Sequence, residues 1–292
     1  MYMATLLCAP SEAVLTVGNV LPYHKSLKGG EFRWLREGVA CEFPISEHPR
    51  DAHKIWQSLL DRGVDLVIQK SAGRRKKMLL ADMDSTMIAQ ECIDELAAEA
   101  GVGARVAAIT ARAMNGELDF EAALRERVGL LAGLPETLID TVLENRITAT
   151  PGGAELVATM KSNGAYTALV SGGFTEFTES VGFGLGFDEN RANRLEIENG
   201  VLTGNLVPPI VGRDAKVAAL HEITTRLGLS ADDVMAVGDG ANDLGMLELA
   251  GTGVALHAKP AVAAASDIRI NFGDLTALLY IQGYGKAAFA KT

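Results

Sequence analysis

Three short apolar runs in this chain each end in a polar cluster, and that recurrence restricts the fold more than any other feature. Residues 79–81 (Leu-Leu-Ala) lead into Asp82-Met83-Asp84-Ser85-Thr86, residues 166–170 into Ser171-Gly172-Gly173, and residues 234–237 into Gly238-Asp239-Gly240. Residues 253–256 and 268–270 read as two further strands, and helical patterns over 154–162, 215–227 and 243–249 separate the runs. Such alternation implies an α/β fold, a doubly wound parallel sheet with helices on both faces. Ligands in sheets of this kind lie beyond the carboxyl ends of the strands, where all three clusters stand.

Between the first and second of these strands the chain inserts residues 87–150, which read as almost wholly helical. Candidate helices span 87–100, 103–114, 120–130 and 136–145, with Gly, Asn and Pro at the breaks. So long an insertion is no ordinary crossover, and it predicts a helical-bundle lid after the first core strand. Residues 195–207 alternate around Asn199-Gly200, the signature of a hairpin, so a β-flap is expected there. The first 72 residues differ in texture. Strands at 40–45 and 64–69 flank a helix at 52–60, which suggests a small α+β domain over 1–72 ahead of a larger one over 73–292. His24, His48 and His53 share no spacing and read as surface or cap residues.

At 292 residues and 48% hydrophobic content the chain can bury a large core. Its net charge of −10, from 27 basic and 37 acidic side chains, argues against a nucleic-acid surface or an acidic membrane as partner. Arg74-Arg75-Lys76-Lys77 reads as a solvated linker. Cys8, Cys41 and Cys92 lack CxxC spacing and suggest reduced thiols. Residues 1–10 lack the pattern of a signal peptide, and the Ala-rich segment near 260 is broken by His257, Lys259 and Pro260. A soluble, cytoplasmic protein is expected.

Acidic residues as close as Asp82 and Asp84 repel unless a cation neutralises them or one keeps its proton. Singly, each cluster could be a turn or a helix cap, and Lys216 a solvated lysine. Together, in this order at successive strand ends, they suit phosphoryl transfer. Asp82 and Asp239 can supply carboxylates to Mg2+, which takes hard oxygen ligands. Lys216 adds a fixed positive charge, and Ser171 with the following N–H groups can donate to phosphate oxygens. Gly172 and Gly173 let the backbone come close, and Asp243 can orient Lys216 or a metal-bound water.

In order, spacing and content, Asp-Met-Asp-Ser-Thr, Ser-Gly-Gly-Phe and Gly-Asp-Gly-Ala-Asn-Asp resemble the haloacid dehalogenase superfamily of phosphatases, and within it the phosphoserine phosphatase family, over about residues 75–290. Glu91 follows the aspartate pair at the family distance. Arg127, in Leu124-Arg125-Glu126-Arg127-Val128, falls where the family places its substrate arginine. Asn193-Arg194-Leu195-Glu196 and the hairpin after it resemble the family's flap. The resemblance implies Mg2+-dependent hydrolysis of O-phospho-L-serine to L-serine and phosphate, the last step of serine biosynthesis. It implies Asp82 as nucleophile, Asp84 as acid and base that touches Mg2+ through its backbone carbonyl, and Asp239 as the other metal ligand. Arg127 would grip the substrate carboxylate and Glu91 its ammonium, with Ser171, Gly172, Lys216 and Asn242 as further substrate contacts. Three alternatives stay open: transfer to homoserine or another alcohol, a phosphatase for phosphoethanolamine or phosphocholine, and a non-catalytic amino-acid sensor. Arg127 argues against the second and the filled catalytic positions against the third. The N-terminal domain loosely resembles an ACT-type regulatory module; a homodimer and serine binding there also stay open.

Overall fold

In the computed structural model, which describes residues 1–114 and 117–292, two sheets share one continuous apolar core. The break expected at Asn115-Gly116 lies outside the described residues. The first sheet is built from β1 (Tyr2–Cys8), β2 (Arg33–Arg36), β3 (Ala40–Ile45) and β4 (Val64–Lys70), with α1 (Val17–Ser26) after β1 and α2 (Ala52–Leu60) after β3. Its order is β2-β3-β1-β4 with all pairs antiparallel, the split βαβ arrangement. The two-residue period sorts its side chains. Ala4, Leu6, Cys41, Phe43, Val64 and Leu66 meet Val20, Leu27, Ile55 and Leu59 of α1, α2 and the turn after α1. The opposite face sends Leu7, Ala40 and Val67 into the main core.

Two buried carboxylates share that inward face, because Glu42 and Asp65 have the same parity as Ala40 and Val67. Glu42 pairs with Arg33 and with Arg74. Asp65 accepts four hydrogen bonds: from the N–H of Asn271 (2.8 Å), Phe272 (2.9 Å) and Gly273 (3.1 Å), and from Asn271 Nδ2 (3.0 Å). The sequence pattern identifies only β3, α2 and β4 of these six elements. β1 escapes it because a central strand covered on both faces shows no alternation. α1 escapes it because Pro22 stands inside it and only Val20 is buried.

The second sheet opens with β5 (Met78–Ala81). The helices α3 (Cys92–Glu99), α4 (Gly103–Met114), α5 (Phe120–Gly129) and α6 (Thr137–Asn145) follow as the lid. Then come α7 (Gly153–Ser162), β6 (Tyr166–Phe174), α8 (Thr175–Leu185), β7 (Glu189–Glu198) and β8 (Val201–Val207). The chain finishes with α9 (Arg213–Leu227), β9 (Val234–Gly238), α10 (Leu244–Leu249), β10 (Thr252–Leu256), α11 (Pro260–Ala265), β11 (Ile268–Ile270) and α12 (Ala277–Ile281). The order is β11-β10-β9-β5-β6-β7-β8, parallel from β11 to β7 and antiparallel only at β8. Met78 and Leu80 face α9 and α10, whereas Leu79 and Ala81 face α7, α12 and the first sheet. Burial on both faces is the doubly wound arrangement expected from the sequence.

Three local features differ from the expectation. The first lid helix begins at Cys92, not at 87, because the N–H groups of Thr86, Met87 and Ile88 all converge on the Met83 carbonyl (3.2, 2.8 and 3.1 Å). Ser171-Gly172-Gly173 is not a turn after the strand, since β6 continues to Phe174. The flap is the sheet's own edge, because β7 pairs with β6. Its turn uses Asn199 and Gly200 at φ 52° and 77°, both left-handed, as a two-residue hairpin requires. Lid and flap are joined: Gly133 N–H donates to Leu202 O (2.8 Å), Leu202 N–H to Leu134 O (2.9 Å) and Glu136 N–H to Gly200 O (3.0 Å).

Candidate active site

Asp82 follows β5 directly, its N–H held by Val237 O of β9 at 3.0 Å, so sheet pairing fixes the first carboxylate. Its Oδ1 accepts from Met83 N–H at 2.8 Å and pairs with Lys216 Nζ at 2.6 Å. Lys216 stands in the first turn of α9, fully buried, and also donates to Asp243 Oδ1 at 2.6 Å. Asp243 stands at the N-cap of α10, but its side chain makes no capping hydrogen bond. It turns back into the loop after β9, where its Oδ2 accepts from Gly240 N–H at 3.0 Å. Only glycine fits at 238, because an added Cβ would lie 2.4 Å from Asp243 Cγ.

Asp239 stands across from Thr86 Oγ1 (3.5 Å) and Lys259 Nζ (3.7 Å). Asp82, Asp239 and Asp243 are buried and each offers an oxygen within 4.8 Å of the others. Asp84, two residues beyond Asp82, meets only neutral donors among the described residues. Cys92 N–H donates to its Oδ1 at 2.9 Å and the Ser171 hydroxyl to its Oδ2 at 3.2 Å, while Gly173 N–H donates to Ser171 Oγ at 2.8 Å. An added Cβ at Gly173 would fall 2.5 Å from Asp84 Oδ2.

Glu91, at the start of α3, accepts from the Ser85 hydroxyl at 2.9 Å. Arg127 on α5 is half-buried and donates through Nε to Ala123 O at 3.3 Å; among the described residues it forms no ion pair. The Asn242 amide stands beside Gly172, where an added Cβ would approach its Nδ2 to 3.8 Å. Four further residues join the site. Phe120 of α5 closes over the glycines, since a Cβ on Gly172 or on Gly212 would meet its ring at 3.2 Å. Thr86 and Lys259 face Asp239 as described. Asn193 of β7, fully buried, donates to Gly172 O at 2.8 Å. Thr86 belongs to the Asp82–Thr86 cluster and Asn193 to the resemblance around 193–196, whereas a single aromatic at 120 and a single lysine at 259 carry no pattern in sequence.

Burial governs the charges. It pushes the Asp82 carboxyl well above the ordinary range, helped by Asp243 and opposed by Lys216. Burial and Glu91 push Asp84 up, and burial lifts Asp239 to about 7, with Lys259 opposing. Burial alone would lower the Lys216 ammonium, but Asp82 and Asp243 outweigh it and hold it above the usual lysine value. Several desolvated carboxylates thus face one buried ammonium. A hard divalent cation fits that donor set and that deficit of positive charge. The arrangement offers a carboxylate nucleophile, a protonatable carboxyl beside it and a glycine-rich anion cradle. A separate cleft of about 740 Å3 lies at the opposite, N-terminal ends of β9–β11, bordered by Gln69, Arg74 and Lys76. No helix among the described residues is long and apolar enough to cross a membrane.

Residues 79–248 match the model of the haloacid dehalogenase-like hydrolases. The chain is 42% identical to a phosphoserine phosphatase of Archaeoglobus fulgidus over 248 residues, 83% of this chain and 72% of that one. It superposes on a HAD family hydrolase of Salmonella enterica serovar Typhi over 97% of this chain and 99% of that one, at a TM-score of 0.88 and 30% identity. A substrate-bound phosphoserine phosphatase is similar to 70% of this chain over 97% of its own length, at a TM-score of 0.66 and 41% identity.

Proposed function

The chain belongs to the haloacid dehalogenase-like hydrolases, and on that premise we propose that it is a Mg2+-dependent hydrolase of O-phospho-L-serine, releasing L-serine and phosphate. The observation that carries the chemistry is the division between two neighbouring carboxylates. Asp82 is paired with a buried ammonium at 2.6 Å, while Asp84 is held by the Cys92 N–H and the Ser171 hydroxyl, neutral donors that leave it free to carry a proton.

Asp82 attacks phosphorus, the bond from phosphorus to the seryl oxygen breaks, and Asp84 gives its proton to that oxygen. Water then attacks the aspartyl-phosphate, returning a proton to Asp84 and freeing phosphate. Lys216 and the donors of Ser171-Gly172-Gly173 stabilise charge on the phosphoryl oxygens. Asp82, Asp239 and the backbone carbonyl of Asp84 would hold Mg2+, with Asp243 orienting Lys216. When bound, the metal supplies the positive charge that lets a carboxylate approach a phosphate. Arg127 and Glu91 receive the carboxylate and ammonium of the amino acid, with Asn242 beside the phosphate cradle. Residues 1–72 serve as a regulatory domain, for which serine is the candidate effector and a homodimer the candidate assembly. Three buried free thiols support a reducing, cytoplasmic setting.

Phosphate release from L-phosphoserine, phosphoethanolamine, phosphothreonine and an aryl phosphate tests this reading, with Asp82→Asn, Arg127→Ala, EDTA and added homoserine as further arms. A preference for L-phosphoserine, lost in Asp82→Asn and in EDTA and selectively lost in Arg127→Ala, supports it. Turnover of the aryl phosphate alone refutes the substrate, and phosphohomoserine as the main product refutes hydrolysis.

A further inference from the structure

The cradle of Ser171-Gly172-Gly173 has a mechanical weakness. Two successive glycines rotate freely unless something outside them fixes the peptide between them. The sheet does not. β6 and β7 pair at Val170 with Arg191 and next at Phe174 with Asn193, so the three cradle residues fall where the ladder is interrupted. The Asn193 side chain fills that gap. Its Nδ2 donates to Gly172 O at 2.8 Å and to Val211 O at 3.2 Å, and its Oδ1 accepts from Val211 N–H at 2.7 Å.

The consequence follows from planarity of the amide. Gly172 C=O and Gly173 N–H belong to one rigid trans unit and point in opposite directions. Holding the carbonyl therefore aims the N–H, which donates to Ser171 Oγ at 2.8 Å. The Ser171 hydroxyl, so oriented, faces Asp84 at 3.2 Å. The same amide grips Val211 just before Arg213, where α9 begins with Lys216 in its first turn. One side chain thus sets both the cradle and the approach of the lysine helix, and its own atoms touch no reacting group.

We propose that Asn193 is the positioning residue of the phosphoryl-binding cradle, acting through the Gly172–Gly173 peptide on Ser171. The inference rests on the phosphatase reading above, and its test separates the two. Wild type, Asn193→Ala, Ser171→Ala and the double variant are assayed with both L-phosphoserine and an aryl phosphate. Inhibition of Asn193→Ala by inorganic phosphate and by L-serine is measured alongside. A wild type that turns over only the aryl phosphate removes the substrate reading and leaves the Asn193 test intact on that substrate.

Asn193→Ala is expected to lower kcat about tenfold or more. In the Ser171→Ala background the same change should cost at least about threefold less than in wild type, because the share carried through Ser171 is gone and only the hold on Val211 remains. The inhibition constant for phosphate should rise in step with the loss, and that for serine should stay put. Full additivity of the two substitutions, or equal weakening of phosphate and serine, would overturn the proposal. A purely structural asparagine would lower thermal stability without that split. If Asn193→Ala is insoluble, Asn193→Ser enters the same cycle with the same two outcomes.

Discussion

Replacing Lys216 with methionine removes a charge and little volume, and the surroundings of that charge fix what should follow. The ammonium is fully buried, 2.6 Å from Asp82 and 2.6 Å from Asp243. At an effective dielectric of about 20, each contact represents roughly 6 kcal/mol of attraction, most of it offset by the desolvation of the lysine. What the variant leaves behind is a pair of buried carboxylates with no counter-charge, which destabilises a fold by about 3–5 kcal/mol. Urea unfolding in EDTA near pH 7.5, followed by circular dichroism, reads that loss directly. Its pH dependence has a definite sign. Asp82 already sits well above its unfolded value, through burial and then Asp243, and losing Lys216 raises it further. An acid raised in the fold penalises stability above its unfolded pKa, near 3.9, and the penalty fades as protonation completes. The deficit should therefore shrink on acidification, and excess Mg2+ should recover part of it by binding the folded state. A variant within about 1 kcal/mol of wild type in EDTA, or a deficit that grows toward acid, would refute this account of the site.

Three other outcomes are expected. Asp65→Ala strips a buried acceptor from four donors and should cost about 2–4 kcal/mol by urea unfolding, with a loss under about 1 kcal/mol contradicting the role given to Asp65. Gly173→Ala, whose Cβ would lie 2.5 Å from Asp84 Oδ2, should reduce kcat by about a hundredfold or more, whereas exposed Gly184→Ala in α8, with nothing within 4 Å, should gain about 0.5 kcal/mol and keep full activity. Burial works against the Glu42 charge, but Arg74 and Arg33 outweigh it and hold the carboxyl below the usual range. Stability from that pairing is complete above the unfolded glutamate pKa, near 4.3, and disappears as pH falls through the folded value; acid titration of Glu42→Gln should show a flatter loss than wild type.

What could be read in the sequence was whatever a strand end makes local. Asp82 with Asp84, the glycines at 172 and 173, and Asp239 with Asp243 each lie within a few residues of an apolar run, so spacing alone aligned them. Asn199-Gly200 announced its hairpin because both residues tolerate a left-handed backbone. Long-range partnerships left no such trace. Asp65 finds its donors 206 to 208 residues away, and Asn193 reaches Gly172 and Val211 across 21 and 18. The start of α3 departs from the sequence pattern for a related reason: apolar spacing continues through Ile88, yet three N–H groups converge on one carbonyl before the helix can form.

A hairpin tip is ordinarily the safest place to splice a label or a peptide into an enzyme, because its residues hold nothing else in place. Here the tip is a mounting bracket. Glu136 hangs on Gly200, and Leu134 and Gly133 hang on Leu202, so the helical cover over the cleft is bolted to the free margin of the sheet. That margin continues through β7 to the strand that carries Ser171. Raising the cover while those bonds hold twists the margin with it, and any insert at residues 199–200 would load the same strand pair that carries the proposed phosphate cradle.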